Sequence, residues 1–159
     1  MTAAVLTISD GVAAGEREDG SGDTLEELLR AEGFEVERAV VPDDRPAIAR
    51  GLKVLAQRVP LILTTGGTGV AARDVTPEVT ASVIDREVPG IAEAIRAASL
   101  AKTPHALLSR GIAGIVDSTL VVNLPGSPGG CRDGFAVLRP ALGHALELLA
   151  GDTPQHVQT

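Results

Sequence analysis

The sequence predicts a single-domain α/β fold built on a mostly parallel central sheet. Two observations support this fold class: short apolar runs alternate with amphipathic helical segments, and clusters of glycine, proline and aspartate separate them. Such alternation is typical of βα units, in which each helix connects two parallel strands. A length of 159 residues suits one domain. We assign that domain to residues 1–150 and expect the polar residues 151–159 to form a loose tail.

The first half of the chain is predicted to contain three strands separated by two helices. Asp23 and Glu26 make a capping-box pattern at the start of the first helix, which ends at Gly33. Asp44 and Pro46 begin the second helix, as an N-cap residue and an early helical proline. The three strands are predicted at residues 3–9, 34–41 and 60–65.

The second half is predicted to contain two helices, a strand pair and a long last helix. Thr76 is the expected N-cap of the first helix, with Pro77 at the first helical position, and Pro89 begins the next helix. The runs "GIAGIV" and "TLVVNL" are expected to pair as a hairpin. The last helix is predicted at about residues 131–149, and Pro140 is expected to kink or divide it.

The composition excludes several classes of function. Two Phe, no Trp and no Tyr leave little aromatic surface for stacking bases, and a net charge of −7 without a basic stripe argues against nucleic-acid binding. Cys131 is the only cysteine, which rules out a disulfide framework and suits a small packing residue. No apolar run approaches the ~18 residues of a membrane span, and the first residues lack a basic leader. We therefore expect no membrane partner and a cytoplasmic location.

Polar, glycine-rich segments follow several of the predicted strands. Ligands of parallel sheets bind beyond the carboxyl ends of the strands, and glycine backbones expose N–H groups that can surround an anion. Each segment also has a purely local interpretation, as a turn, an N-cap or a strand-to-helix corner. The segments are residues 9–11, 41–44, 65–74 and 123–130.

The glycine cluster "GGTG" is not a common nucleotide motif. No Gly-Lys-Ser/Thr occurs in the chain, which excludes a P-loop. Residues 67–72 complete G-x-G-x-x-A only formally, and the clear helix start comes later, at Thr76. A dinucleotide-binding turn runs directly into its helix, so a Rossmann site is disfavoured.

Six motifs in order carry a family resemblance: "TISD", "SGDT", "LTTGGTG", "RDVTPE", "LSR" and "NLPGSPGG". Together they resemble the molybdopterin adenylyltransferases of molybdenum-cofactor synthesis, the family that includes the G domain of gephyrin. The resemblance extends over about residues 3–150. It implies a three-layer α/β domain, usually a homotrimer, that uses Mg²⁺ to transfer AMP from ATP to the terminal phosphate of molybdopterin. It also implies hand-over of the product to a molybdate-insertion protein.

The implied chemistry needs placement and charge neutralisation, because a phosphate nucleophile is already ionised near neutral pH and requires no general base. By the resemblance, Asp43 and Asp74 are the residues required for catalysis. Both are candidate Mg²⁺ ligands, since Mg²⁺ prefers oxygen ligands shared with phosphates. The alternative for each is a turn or cap residue.

The resemblance further divides the site into a nucleotide side and a pterin side. For Arg110 a surface salt bridge is the alternative to a phosphate contact. The nucleotide- and phosphate-binding candidates are Asp10, Ser21, Gly66, Gly67, Thr68, Gly69, Arg73, Gly126 and Ser127. The pterin-binding candidates are Ser99, Ser109 and Arg110.

Close paralogues in this family share the same motifs but have weak or undetected transferase activity. The second hypothesis is therefore a catalytically weak or inactive molybdopterin-binding paralogue or scaffold module.

Overall fold

A computed structural model describes residues 1–151, so all but the first residue of the expected tail lies outside the described residues. The centre of the fold is a six-stranded sheet. Its strands are β1 Thr2–Ile8, β2 Glu35–Val41, β3 Leu61–Thr65, β4 Arg86–Glu87, β5 Ala113–Val116 and β6 Thr119–Leu124. The strand order across the sheet is β2-β1-β3-β6-β5-β4. The first four in that order are parallel, whereas β5 runs antiparallel to both of its neighbours, which confirms the mostly parallel sheet and the hairpin.

Six α-helices and one short 3-10 helix complete the described chain. None of these helices is long and apolar enough to span a bilayer. Their bounds are α1 Asp10–Ala13, α2 Gly20–Ala31, α3 Arg45–Ala56, α4 Thr76–Val83, α5 Pro89–Leu100, the 3-10 helix Pro104–Leu108 and α6 Pro128–Leu149.

Helices cover both faces of the sheet, which gives the three layers that the family resemblance implies. The side chains of β1 alternate between the faces, as the pleat requires. Ala3 and Val5 pack in one core with α2, α5 and α6. Ala4 and Leu6 pack in the other core with α3 and α4. Because both faces are covered, β1 and β3 are buried along nearly their whole length.

Helix α2 begins earlier than the sequence predicts, so Asp23 is not its N-cap. Asp19 occupies that position, and its carboxylate accepts a hydrogen bond from the Gly22 N–H at 3.0 Å. The same carboxylate accepts the Thr7 hydroxyl at 2.7 Å, a contact from β1 that sequence spacing does not reveal. The predicted end is confirmed, because Gly33 follows the helix with a positive φ of 87°.

Helix α6 also begins earlier than predicted and is not divided. Ser127 caps it by accepting the Gly130 N–H at 3.1 Å. The helix then continues through Pro140, so the expected division is wrong. Buried Phe135 and Leu142, on either side of the proline, pack in the same core and offset the hydrogen bond that the proline lacks.

A cavity of about 350 Å³ lies at the end of the molecule where β1 begins and α6 ends. Met1 and Ala150 both line it, together with Gly33 and Phe34. Residues near both limits of the described chain are therefore neighbours in space.

Candidate active site

Two cavities lie at the carboxyl ends of the parallel strands, with the glycine loop of residues 66–69 between them. The first, which we call the carboxylate cavity, has a volume of about 500 Å³. The second, which we call the serine cavity, has a volume of about 360 Å³. The candidate residues that line the carboxylate cavity are Ser21, Asp43, Gly66, Gly67, Asp74 and Gly126. Those that line the serine cavity are Thr68, Gly69, Ser99, Ser109 and Ser127.

The glycine loop requires glycine at its first two positions. Gly66 and Gly67 have φ values of 98° and 67°, in the left-handed region that disfavours side chains. A Cβ on Gly66 would collide with the carbonyl oxygen of Ile8, and a Cβ on Gly67 with the hydroxyl of Thr76. The backbone therefore turns sharply against β1, as the cluster of glycines predicted.

Thr76 holds this loop instead of capping α4, so its predicted N-cap role is wrong. The N-cap position belongs to Val75, and no side chain caps the helix. The buried Thr76 hydroxyl donates to the Gly66 carbonyl at 2.9 Å, and its backbone N–H donates to the Gly67 carbonyl at 3.1 Å. Half-buried backbone carbonyls need partners, and these two find theirs in the first residue of α4.

Asp43 and Asp10 join the ends of β1 and β2 through reciprocal hydrogen bonds. The Asp10 N–H donates to Asp43 Oδ2 at 2.9 Å, and the Asp43 N–H donates to Asp10 Oδ1 at 3.0 Å. The pair fixes the direction of the Asp43 side chain at the wall of the carboxylate cavity.

Arg73 pairs with Asp10, so these two candidates lie together, outside the residues that line either cavity. Arg73 Nε lies 2.6 Å from Asp10 Oδ2, and its Nη2 donates to Oδ1 at 2.9 Å and to the Asp43 carbonyl at 3.2 Å. The hydrogen bonds from Arg73 hold the pKa of the Asp10 carboxyl below its usual value. The pair is therefore ionised throughout the neutral range.

Arg110 fastens the other end of the glycine loop. Its Nε donates to the Gly69 carbonyl and its Nη2 to the Asp74 carbonyl, both at 2.7 Å. Its Nη1 pairs with Glu78 on α4. Partial burial acts to raise the pKa of Glu78, but the hydrogen bond from Arg110, a backbone hydrogen bond and the charges of Arg110 and Arg45 together outweigh it, and the net pKa lies below the usual value. The salt-bridge alternative for Arg110 is therefore present in the structure, and Arg110 lines neither cavity.

Asp74 has both a local role and a place at the site. Its Oδ2 accepts the Ala71 N–H at 2.9 Å, which closes a turn, and its side chain lines the carboxylate cavity. The turn interpretation and the site interpretation are thus compatible.

Sequence reasoning placed Asn123 in a strand-end segment but missed its role as a buried amide. Its Nδ2 donates to the hydroxyls of Thr64 and Thr80, each at 3.0 Å, and its Oδ1 accepts the Ile112 N–H at 3.2 Å. The amide thereby ties β6 to β3 and to α4. The available signal was a polar residue inside the apolar run "TLVVNL".

Sequence reasoning also missed the pair formed by Asp19 and Arg38. Asp19 lines the carboxylate cavity, and Arg38 Nη2 reaches its carboxylate at 2.5 Å from β2. Arg38 also pairs with Glu26 at 2.7 Å and Asp23 at 3.1 Å. This network holds the start of α2 against the sheet.

The arrangement fits Mg²⁺ only if a ligand supplies further oxygens. Residues 1–151 contain no group of three potential metal ligands. Asp43 Oδ1 lies 3.2 Å from where a Cβ on Gly67 would be, and Asp74 Oδ2 lies 2.8 Å from the equivalent point on Gly69. The two carboxylates therefore border the glycine loop. A pair of carboxylates completed by phosphate oxygens is a common Mg²⁺ environment.

The chain matches the family model of a probable molybdopterin binding domain over residues 4–144. Among solved structures, it is similar to the molybdopterin biosynthesis enzyme MoaB of Thermus thermophilus, with 48% identity, a TM-score of 0.88, and 94% and 96% of the two chains covered. It is also similar to the molybdopterin biosynthesis Mog protein of Mycobacterium ulcerans, with 43% identity, a TM-score of 0.89, and 93% and 98% coverage.

Curated relatives include proteins of different lengths. The molybdopterin adenylyltransferase of Helicobacter pylori strain J99 is 37% identical over 95% of this chain and 89% of its own. The molybdenum cofactor synthesis protein cinnamon of Drosophila melanogaster is 40% identical over 96% of this chain, which spans only 26% of that protein. Because the family model matches residues 4–144 and these relatives are 37–40% identical over nearly the whole chain, the chain belongs to the probable molybdopterin binding domain family.

Proposed function

We propose that the protein transfers AMP from ATP to the terminal phosphate of molybdopterin, in the synthesis of the molybdenum cofactor. The observation that carries the proposal is the pair of cavities on opposite sides of one glycine loop, acidic on one side and rich in hydroxyls on the other. Two substrates bound in these cavities would meet at the loop. The Helicobacter pylori relative named molybdopterin adenylyltransferase supports the same assignment.

The reaction is a phosphoryl substitution. An oxygen of the molybdopterin phosphate attacks the α-phosphorus of ATP, the bond from that phosphorus to the bridging β-phosphate oxygen breaks, and pyrophosphate leaves with the electron pair. The attacking oxygen is ionised near neutral pH, so the protein needs no general base. Its contribution is to hold both phosphates in line and to offset their charge.

We assign ATP to the carboxylate cavity and molybdopterin to the serine cavity. Ser21, Gly66, Gly67 and Gly126 border the former, and Ser99 and Ser109 offer hydroxyls in the latter. Thr68, Gly69 and Ser127 line the serine cavity where it adjoins the loop. The backbone N–H groups of Gly67, Thr68 and Gly69 donate to no acceptor in the part of the chain that the structure describes. They are therefore available to phosphate oxygens.

Asp43 and Asp74 are the proposed catalytic pair and Mg²⁺ ligands. When bound, Mg²⁺ would supply positive charge shared between these carboxylates and phosphate oxygens. Asp10, Arg73 and Arg110 act in the proposal as positioning residues, because their charged groups bind one another, Glu78 and the loop carbonyls.

The test is an assay of the purified protein with molybdopterin, ATP and Mg²⁺. We expect adenylylated molybdopterin and pyrophosphate in equal amounts. Absence of product at high protein concentration would reject the transferase. A binding module would instead bind molybdopterin with an affinity indifferent to ATP and Mg²⁺, yet such a module has no need for two carboxylates at the loop.

Assembly and hand-over form the remaining part of the proposal. We propose a homotrimer, which is supported by the exposed leucines Leu100, Leu107 and Leu108 on α5 and the adjoining 3-10 helix. The adenylylated product would pass to a molybdate-insertion protein. A cytoplasmic location belongs to the same proposal, because ATP is a cytoplasmic metabolite.

A further inference from the structure

The carboxylate cavity is acidic and has one cationic side chain among its lining residues. The ionisable side chains that line it are Arg17, Glu18, Asp19, Asp43 and Asp74. Asp19 is neutralised by Arg38, whose guanidinium lies 2.5 Å away. Three carboxylates therefore face one guanidinium in a cavity assigned to a polyanion.

Three other arginines near the site already have partners. Arg73 is held by Asp10, Arg38 by three carboxylates, and Arg110 by Glu78 and two loop carbonyls. Within residues 1–151, the guanidinium of Arg17 makes neither a hydrogen bond nor an ion pair, and the residue is exposed. It is the guanidinium at this cavity that is available to a ligand.

The aliphatic part of the Arg17 side chain, which we call its stem, packs against Gly11. A Cβ on Gly11 would lie 2.8 Å from Arg17 Cδ and 3.3 Å from its Cγ, so the stem occupies the space that any larger residue would take. The backbone N–H groups of Glu16 and Arg17 both donate to the Gly11 carbonyl, at 2.9 and 3.2 Å. The loop after α1 is thereby folded back so that the Arg17 side chain reaches the cavity.

We propose that Arg17 binds the triphosphate of the nucleotide substrate in the carboxylate cavity, and that Gly11, which has no side chain, leaves the space in which the Arg17 stem packs. A guanidinium presents a planar fork of N–H donors that matches phosphate oxygens, and its charge offsets part of the repulsion from the carboxylates. A stem that is already seated loses less conformational freedom on binding. The inference rests on the proposed function in taking a nucleoside triphosphate as the ligand of this cavity.

The experiment measures ATP affinity by calorimetry with Mg²⁺ present. Arg17→Ala should weaken ATP binding by about 10- to 100-fold, as expected for a lost charge-assisted hydrogen bond, with an unchanged melting temperature because the side chain is exposed. Arg17→Lys keeps the charge but not the planar fork of N–H donors, so its ATP affinity should lie between those of the wild type and Arg17→Ala. Arg50→Ala is the matched control: it removes the same charge from an exposed arginine on α3 that lines none of the described cavities. It should leave the affinity within about 2-fold, since distant exposed charges are largely screened.

Gly11→Ala tests the packing of the Arg17 stem against Gly11 without changing any charge. It should weaken ATP binding in the same direction as Arg17→Ala, because the added methyl group displaces the Arg17 stem. In the Arg17→Ala background, Gly11→Ala should have no further effect, since residues that act through one contact are not additive.

The inference is overturned by equal ATP affinities for the wild type and a folded Arg17→Ala variant, or by a loss of affinity in Arg50→Ala as large as that in Arg17→Ala. A wild-type protein that binds no ATP also overturns it. A wild type that binds ATP through Arg17 but forms no adenylylated product rejects the transferase while leaving the inference standing.

Discussion

Asp43 and Asp74 each combine a structural hydrogen bond with a position at the glycine loop. Asp43 accepts the N–H of Asp10, and Asp74 accepts that of Ala71, both at 2.9 Å. Substitution by asparagine separates the two roles, because the amide keeps an acceptor oxygen but carries no negative charge.

Asp74→Asn should lower turnover on the order of 10²-fold or more, as for the loss of one key electrostatic group at an active site. Molybdopterin affinity and melting temperature should change little, because the serine cavity and the turn remain. Asp43→Asn should behave similarly. Asp44→Asn is the control, since Asp44 caps α3 through the Ala47 N–H at 3.0 Å and is no part of the carboxylate cavity. A folded Asp74→Asn protein with near wild-type turnover contradicts the catalytic role.

Cys131 is expected to be inert in the native protein. It is fully buried, and burial raises the pKa of its thiol to about 11. Alkylation by iodoacetamide at pH 8 should therefore occur only after unfolding, as followed by mass spectrometry. The folded pKa lies above the unfolded value of 9.0. The contribution of the protonated thiol to the free energy of unfolding is therefore fully present below pH 9 and is lost as the pH rises towards 11.

At pH 10 this loss is about 1 kcal/mol. To isolate this loss, the free energy of unfolding of the wild type and of Cys131→Ala is measured with denaturant at pH 8 and pH 10. The difference in stability between the two proteins should shrink at the higher pH, and an unchanged difference contradicts the assignment.

At the scale of elements, α4 anchors both ends of the glycine loop through its first turn. Thr76 binds the Gly66 carbonyl, and Glu78 holds Arg110, which in turn binds the carbonyls of Gly69 and Asp74. The helix thus sets the separation between the loop and the proposed catalytic carboxylate.

Glu78→Gln should lower turnover by about 3- to 10-fold, the equivalent of roughly one weakened hydrogen bond. The pair is partly exposed, so the stability cost should stay below about 1 kcal/mol. Arg110→Lys should cost more turnover, because an ammonium cannot span both carbonyls. Glu37→Gln, which breaks an exposed pair with Arg58 at 2.9 Å away from the site, is the control. If Glu78→Gln has the same turnover as the control, α4 does not hold the glycine loop in its active position.

Local patterns predicted the elements well, and long-range contacts account for what they missed. Apolar runs bounded by turn residues predicted β1, β2, β3, β5 and β6, and Asp44 caps α3 as expected. Asp19, the N-cap of α2, is held by the hydroxyl of Thr7, 12 residues before it. Likewise, Arg73 meets Asp10 across 63 positions of the chain. Spacing along a sequence carries no information on such partners.

The site itself was predicted at the level of its loops and not of its contacts. Strand ends rich in glycine and aspartate do converge, because parallel strands end at one edge of the sheet. The buried amide of Asn123 could not be paired with Thr64 and Thr80 before the sheet order was known.

At the scale of the whole molecule, the proposed trimer should appear in light scattering at micromolar concentration as three times the 16.2 kDa chain mass. Leu107 is 71% exposed. Leu107→Asp should shift the mass towards the monomer if the exposed leucines Leu100, Leu107 and Leu108 form the interface. Val54→Asp, at an exposed position on α3, is the control and should not. A monomer mass for the wild type contradicts the trimer.

Helix α6 carries the chain from the site to the opposite end of the molecule. Its 22 residues extend about 33 Å from Ser127, beside the serine cavity, to the cavity shared by Met1 and Ala150. A second domain joined before Met1 or after Ala150 therefore leaves the fold on the side away from both proposed substrate cavities. The architecture can be built into a longer polypeptide, with one linker or two, while the approach of ATP and molybdopterin stays open.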